Sequence, residues 1–193
     1  MSTKTKQTKT LAVRRLVLNA VLIALYYALG LWRIPIGNMW RVSVAPFAVI
    51  LGALAFGPAD GLIVGLMGEF VTQILGPYGL TPTTLLWCLG EAVRGLTLGL
   101  FAWLVLKKWL ATENKLSAAQ MAMVLCACIS TAILSSLCNT LALYVDSKMF
   151  GYYSYAMVFG ALIVRLILSV VISGVLGYVA LPVLSALRRA KLL

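Results

Sequence analysis

Apolar residues in this chain run in long blocks, and breaks of Gly, Pro and charge divide it into six such segments. The first spans about Leu11 to Leu31 and ends before Arg33-Ile34-Pro35-Ile36-Gly37-Asn38. The second, about Val42 to Phe56, is short for a straight membrane crossing, and a Gly57-Pro58-Ala59-Asp60-Gly61 turn leads into the third, about Leu62 to Leu75. Gly76-Pro77-Tyr78-Gly79-Leu80-Thr81-Pro82 precedes the fourth, about Thr83 to Leu106. The fifth covers about Ala118 to Tyr144 and the sixth about Ala156 to Leu187. Segments near the roughly 20 residues needed to cross a bilayer predict an all-α membrane protein, a compact bundle of six transmembrane helices. Residues 1–10 read as a basic arm and residues 11–193 as a single domain. No small-residue cleavage site follows the first apolar run, so the expectation is a retained first helix.

Composition agrees: 62% of the 193 residues are hydrophobic and only 11% charged, against about 45–50% and a quarter in soluble domains. The net charge of +11 does not predict nucleic-acid binding, because the cations sit at segment ends, where they set orientation. Lys4, Lys6, Lys9, Arg14, Arg15, Lys107, Lys108, Lys115, Arg188, Arg189 and Lys191 fall on one side of a six-span layout. Only Arg33, Arg41 and Lys148 fall on the other. Positive-inside bias then puts both termini in the cytoplasm of a multi-pass protein of the plasma membrane.

Against this background four charges stand out inside apolar segments: Glu69, Glu91, Arg94 and Arg165. Each costs roughly 2.5–3.5 kcal/mol at the centre of a membrane helix, so all four facing lipid would cost on the order of 10 kcal/mol. They are expected to point into the bundle, to pair, or to bind a polar solute. Glu91 and Arg94 are three apart and share a helix face, where they can neutralise each other; Arg165 can reach Glu69 across the bundle or snorkel to an interface. Gln73, Tyr78, Trp87 and Asn139 lie on the same outer half, which makes Glu69, Gln73, Tyr78, Trp87, Glu91, Arg94, Asn139 and Arg165 the candidate solute site. Asp146, Lys148 and Glu113 read as solvated charges. Trp32, Arg33, Asn38, Trp40 and Arg41, in the first outer loop, fit either an interfacial aromatic belt or a lid over a planar solute.

Other chemistry is not indicated. The four cysteines lie in apolar segments without CxxC spacing and there is no histidine, so no metal site is expected and the cysteines read as small buried hydrophobes. The sequence has no phosphate-binding GxxxxGK[ST] loop and no Ser/His/Asp or Cys/His arrangement, so neither an ATPase nor another enzyme is expected, and no cofactor. Three stripes of small residues at four-residue spacing, Ala20/Ala24/Ala28, Gly57/Gly61/Gly65 and Gly95/Gly99, permit close helix approach in lipid. They predict a compact bundle with at least one face open to another membrane protein.

The run Arg41-Val42-Ser43-Val44-Ala45-Pro46-Phe47, the turn Leu54-Ala55-Phe56-Gly57-Pro58-Ala59-Asp60-Gly61, Gly65-Leu66-Met67-Gly68-Glu69 and Gly76-Pro77-Tyr78-Gly79 carry a family resemblance. With six spans, cytoplasmic termini and the alanine face, the chain resembles the substrate-binding S components of energy-coupling factor (ECF) vitamin transporters. Within that family it looks like the folate-type branch. The stretch Thr83 to Gly95 departs from that branch, whose fourth span starts without charges such as Glu91 and Arg94. The resemblance implies high-affinity binding of a vitamin or related nutrient from outside, with a transmembrane coupling subunit and two cytoplasmic ATPases supplying transport. It implies that Ala20, Ala24 and Ala28 contact the coupling subunit and that the loop from Trp32 to Arg41 is the lid. A carboxylate can take two hydrogen bonds from the edge of a pterin or deazaguanine, aromatics can stack on it, and arginine can hold a carboxylate tail. A folate- or pterin-like ligand is the first expectation, with a 7-deazaguanine queuosine precursor or another vitamin as alternatives. The competing class is a self-contained secondary transporter or channel, which lacks support from any clear inverted repeat.

Overall fold

The computed structural model of the chain describes residues 2–36, 40–77, 79–105 and 117–189, with residues 2–12, 33–36, 40–42 and 188 described by backbone only. Among the described residues six α-helices carry the fold: α1 (Ser2–Leu31), α2 (Pro46–Phe56), α3 (Pro58–Ile74), α4 (Thr84–Val105), α5 (Ala118–Met149) and α6 (Leu162–Arg189). The predicted all-α membrane bundle is present, with one addition. The loop between α1 and α2 is a two-stranded antiparallel hairpin, β1 (Arg33–Ile36) and β2 (Trp40–Ser43), pairing Arg33 with Ser43 and Ile36 with Trp40.

Four segments, Val13–Leu31, Thr84–Val105, Ala118–Met149 and Ala156–Leu187, are long and apolar enough to cross a membrane. The protein is an integral membrane protein. The brevity of the second predicted span has a physical reason. With 11 residues α2 is about 16 Å long, too short for a hydrocarbon core of about 30 Å. Its residues from Ala48 to Leu54 are all buried. A helix that is apolar all round belongs in a protein interior, and α2 is the central element: Ile50 and Leu54 pack with Leu98 of α4, Val124 and Cys128 of α5, and Leu184 of α6. On its other flank Val49 packs with Tyr26 of α1 and Val64 of α3.

α2 returns into α3 through Gly57, whose φ of 99° favours a residue without Cβ, and Pro58 opens the new helix at a position where its missing N–H costs nothing. The first turn is fastened to α1. Asp60, buried, accepts hydrogen bonds from Arg15 and from Asn19 Nδ2 (2.6 Å), and Arg15 also donates to the Phe56 carbonyl (2.8 Å). The glycine stripes of α3 and α4 face each other. A Cβ at Gly61 would fall 2.5 Å from the Gly95 carbonyl oxygen, and one at Gly99 would fall 2.5 Å from Pro58 Cα. Two of the three small-residue stripes are thus consumed inside the bundle. A capping box at Ser117 and Gln120 starts α5. On α6, Ile163, Ile167, Val171 and Val175 form an exposed apolar stripe, the face expected of a helix against lipid.

Candidate functional site

At the end of the bundle opposite the chain termini, two cavities lie on either side of α3. The larger, about 700 Å³, is lined by Thr72, Gln73, Gly76, Pro77, Thr81, Trp87, Asp146, Phe150 and Tyr152. The smaller, about 240 Å³, is lined by Tyr26, Gly30, Ser43, Ala45, Pro46, Glu69, Thr72 and Glu91. Thr72 borders both. Gln73 Nε2, in the wall of the larger cavity, donates to Glu69 Oε1 (2.7 Å), in the wall of the smaller. The partition is therefore one turn of α3 and a single hydrogen-bonded pair, one helical turn apart in sequence.

Glu69 is also held from the other side, by the Tyr26 hydroxyl of α1 (2.7 Å to Oε2). Glu91, 6% exposed, uses one oxygen internally: Oε1 accepts from Ser135 Oγ (3.3 Å) and lies 3.5 Å from the Arg94 guanidinium. Its Oε2 is buried and has no hydrogen-bond partner among the described residues. The α4 helix can approach α3 this closely at Glu91 because Gly65 has no Cβ; one there would fall 2.3 Å from the Glu91 carbonyl oxygen. The chain between α3 and α4 forms part of the wall of the larger cavity through Gly76, Pro77 and Thr81. Thr83, just before α4, donates to Asp146 of α5, Tyr152, just after α5, donates to the same carboxylate, and Thr81 N–H donates to Thr84 Oγ1 (2.9 Å).

The structure thus brings Glu69, Gln73, Trp87 and Glu91 to the cavities, with Arg94 immediately behind Glu91. Asn139 lies against Gly90 on the α4–α5 contact and does not line either cavity. Arg165 is separate too. It donates to the Val158 carbonyl in a π-helical turn, Ala156–Gly160, ahead of α6, so its pairing with Glu69 does not occur. Trp32 is 77% exposed at the start of the hairpin. Arg33, Trp40 and Arg41 belong to the strands by backbone, while Asn38 and Tyr78 lie outside the described residues, as do Lys107, Lys108, Glu113, Lys115 and Lys191.

Asp146 overturns the reading of a solvated charge: it is a cavity wall tied to two hydroxyls. Lys148, beside it, sits 4.0 Å from the centre of the Tyr153 ring. Tyr26, Thr72 and Ser43 were not legible as site residues. The available signal was Tyr26 itself, a hydroxyl deep in an apolar span that must find a partner. Cys88 and Cys128 are buried as expected, but Cys126 is exposed. Among the described residues no group of His, Cys, Asp or Glu could hold a metal ion.

Ala20, Ala24 and Ala28 are all exposed, on an α1 face that also presents Val13, Val17 and Val21. The stripe is not used within the described bundle.

A buried helix, six-helix connectivity and a polar-and-aromatic cavity at one end define a membrane-embedded solute-binding bundle. A family model described as the S component of the ECF-type riboflavin transporter matches residues 10–184. The chain belongs to this ECF S-component family. Its fold matches that of the S component of a bacterial ECF transporter (TM-score 0.57, 22% identity, 86% of this chain and 92% of the other). It also matches the S component for biotin from an ECF-type ABC transporter (TM-score 0.61, 18% identity, 98% and 95%). Among curated relatives, a UPF0397 protein of Vibrio atlanticus (strain LGP32) is 28% identical over 114 residues, 58% of this chain and 57% of the relative. A UPF0397 protein of Aliivibrio fischeri (strain MJ11) is 31% identical over 93 residues, 47% and 49% respectively. The chain spans about half the length of the curated relatives it matches.

Proposed function

We propose that this protein is the high-affinity substrate-binding S component of an ECF-type ABC importer for a vitamin or related planar heteroaromatic nutrient. A folate- or pterin-like ring is the first candidate, and a 7-deazaguanine queuosine precursor the second. The observation that carries the reading is the paired cavity: a carboxylate held ready by Tyr26 and Gln73 beside a larger space of about 700 Å³ walled by Trp87, Phe150 and Tyr152. A space of that size suits a small organic ligand, a carboxylate accepts the paired N–H donors of a 2-amino-lactam edge, and the aromatics offer stacking area. Riboflavin, named in the family description, belongs to the same class of flat, donor-bearing rings.

The termini face the cytoplasm and the cavities face outside, in keeping with the eleven-to-three distribution of cations. The hairpin from Arg33 to Ser43 is the lid; its last residue, Ser43, already lines the smaller cavity. Transport power comes from a transmembrane coupling subunit and two ATPases, and this chain is a binding subunit without an enzymatic step. The coupling subunit docks on Ala20, Ala24 and Ala28, the one small-residue stripe left exposed. Native mass spectrometry of the gently purified protein, with small-molecule analysis of what it releases, tests the ligand class: a pterin, deazaguanine or other flat vitamin supports it, and a bound aliphatic solute overturns it. Unaided flux in liposomes would instead establish a self-contained transporter.

A further inference from the structure

We infer that Asp146 sets the ligand specificity of the larger cavity by accepting the two parallel N–H donors of a 2-amino-lactam edge. This rests on the reading of that cavity as the seat of a flat heteroaromatic ring, and it names the group that recognises the ring. A ring lying against Trp87 finds its polar partners in the walls of the larger cavity, because Glu69 and Glu91 border the smaller one, on the other side of α3. Among the described residues that line the larger cavity, Asp146 is the one carboxylate; the hydroxyl and amide side chains there are Thr72, Gln73, Thr81 and Tyr152. Glu69 acts on the same ring at one remove, through the Gln73 amide that it holds (2.7 Å).

The carboxylate is aimed and held. Its bond from Thr83, just ahead of α4, means that the side chain points from the end of α5 towards the start of α4. Phe150, one turn further along the chain from Asp146, lines the same cavity. A carboxylate offers about four acceptor sites, and the described donors, the Thr83 and Tyr152 hydroxyls, take one on each oxygen. The second site on each oxygen matches the adjacent ring N–H and amino N–H of a 2-amino-lactam, which meet a carboxylate side by side as a guanidinium does. The two hydroxyls fix the rotation of the carboxylate and leave its charge in place. Asp146 also stands in the last turn of a 32-residue helix, a rigid support for a recognition group. A ring with a carbonyl in place of the amino group would turn an acceptor towards this acceptor. A site built around such a bond rejects the analogue that lacks the donor.

The test is calorimetric titration of the full chain in detergent with pterin against lumazine, 7-deazaguanine against 7-deazahypoxanthine, and riboflavin. In each pair only the first member carries the 2-amino group, and riboflavin offers a single ring N–H between two carbonyls. The expected result is binding of pterin or 7-deazaguanine about tenfold or more tightly than its partner. Asp146→Asn should reduce that preference to about threefold or less. A purely structural Asp146 would instead lower the affinity of both members alike and leave their ratio unchanged. Asp146→Ala, read in the same way, serves where the asparagine variant does not fold. Thr83 then keeps Thr81 Oγ1 at 3.1 Å as a partner, and Tyr152 is 45% exposed, so neither hydroxyl is orphaned. A preference absent from the unmodified protein, or retained in the Asp146 variants, overturns the inference and leaves the heteroaromatic reading standing. Binding of riboflavin without binding of either 2-amino ring does the same. Failure of all five rings to bind overturns both.

Discussion

Glu69 and Glu91 face the same cavity with different surroundings, and their substitutions separate ligand recognition from structure. Glu69 is met by two neutral donors, Tyr26 and Gln73, whereas Glu91 shares one oxygen with Ser135 and Arg94. Hydrogen bonds to a charged group contribute about 1.5–3 kcal/mol. Glu69→Gln and Glu91→Gln are each expected to weaken ligand binding by about tenfold or more, a larger effect than on thermal unfolding of the detergent-solubilised protein. Affinity unchanged in both would make the acids structural partners only. The intramembrane charges were visible in the sequence because charge is rare in an apolar block. The fate of each was not. The i,i+3 pairing of Glu91 with Arg94 follows from helix geometry alone, while Arg165 turns to a carbonyl in the irregular turn just ahead of its own helix, and Asp146 forms a cavity wall through a contact between segments distant in sequence.

At the scale of elements, the contact between α3 and α4 is set by glycine. The two helices approach until backbone meets backbone at Gly61 and Gly95, as small-residue stripes allow in lipid. The same substitution should therefore act oppositely at two positions. Gly95→Ala forces its methyl group into the Gly61 backbone and is expected to cost about 1–3 kcal/mol. Gly174→Ala on α6, where nothing lies within 4 Å, should be neutral or stabilising by up to about 1 kcal/mol through helix propensity. Thermal unfolding of the two variants in one detergent measures the contrast, and equal effects would show that the close approach contributes nothing. The hairpin between α1 and α2 makes a kinetic prediction. If it closes over the ligand, Trp32→Ala and Trp40→Ala speed ligand release, measured by stopped-flow displacement, by several-fold or about 1 kcal/mol of barrier. An unchanged off-rate would make both residues part of an aromatic belt.

For the whole molecule, the three small-residue stripes have separate destinations. Those on α3 and α4 are spent in internal packing, and that on α1 lies exposed on the outside of the bundle. If a coupling subunit packs there, Ala24→Leu holds the two helices apart and abolishes co-purification with that subunit, leaving ligand affinity within about twofold because Ala24 is exposed on the face of α1 opposite Tyr26, which lines the smaller cavity. Retained co-purification would move the docking surface elsewhere.

Long apolar blocks with charge at their ends were sufficient to determine a helical membrane protein and its six segments, since burying backbone polar groups in lipid leaves few alternatives to helices. The same blocks marked the turn at Gly57 and the presence of buried charge. Only the tertiary structure decided that the second segment is a short helix at the centre of the bundle. It also decided that two glycine stripes meet while the alanine stripe stays outside, and that Tyr26, Thr72 and Asp146 join Glu69 and Glu91 around two cavities. Hydropathy reports how far a residue prefers to be from water, but lipid and protein interior satisfy that preference equally. Which apolar face meets a neighbouring helix, and which meets lipid, is settled by shape complementarity between segments distant in sequence.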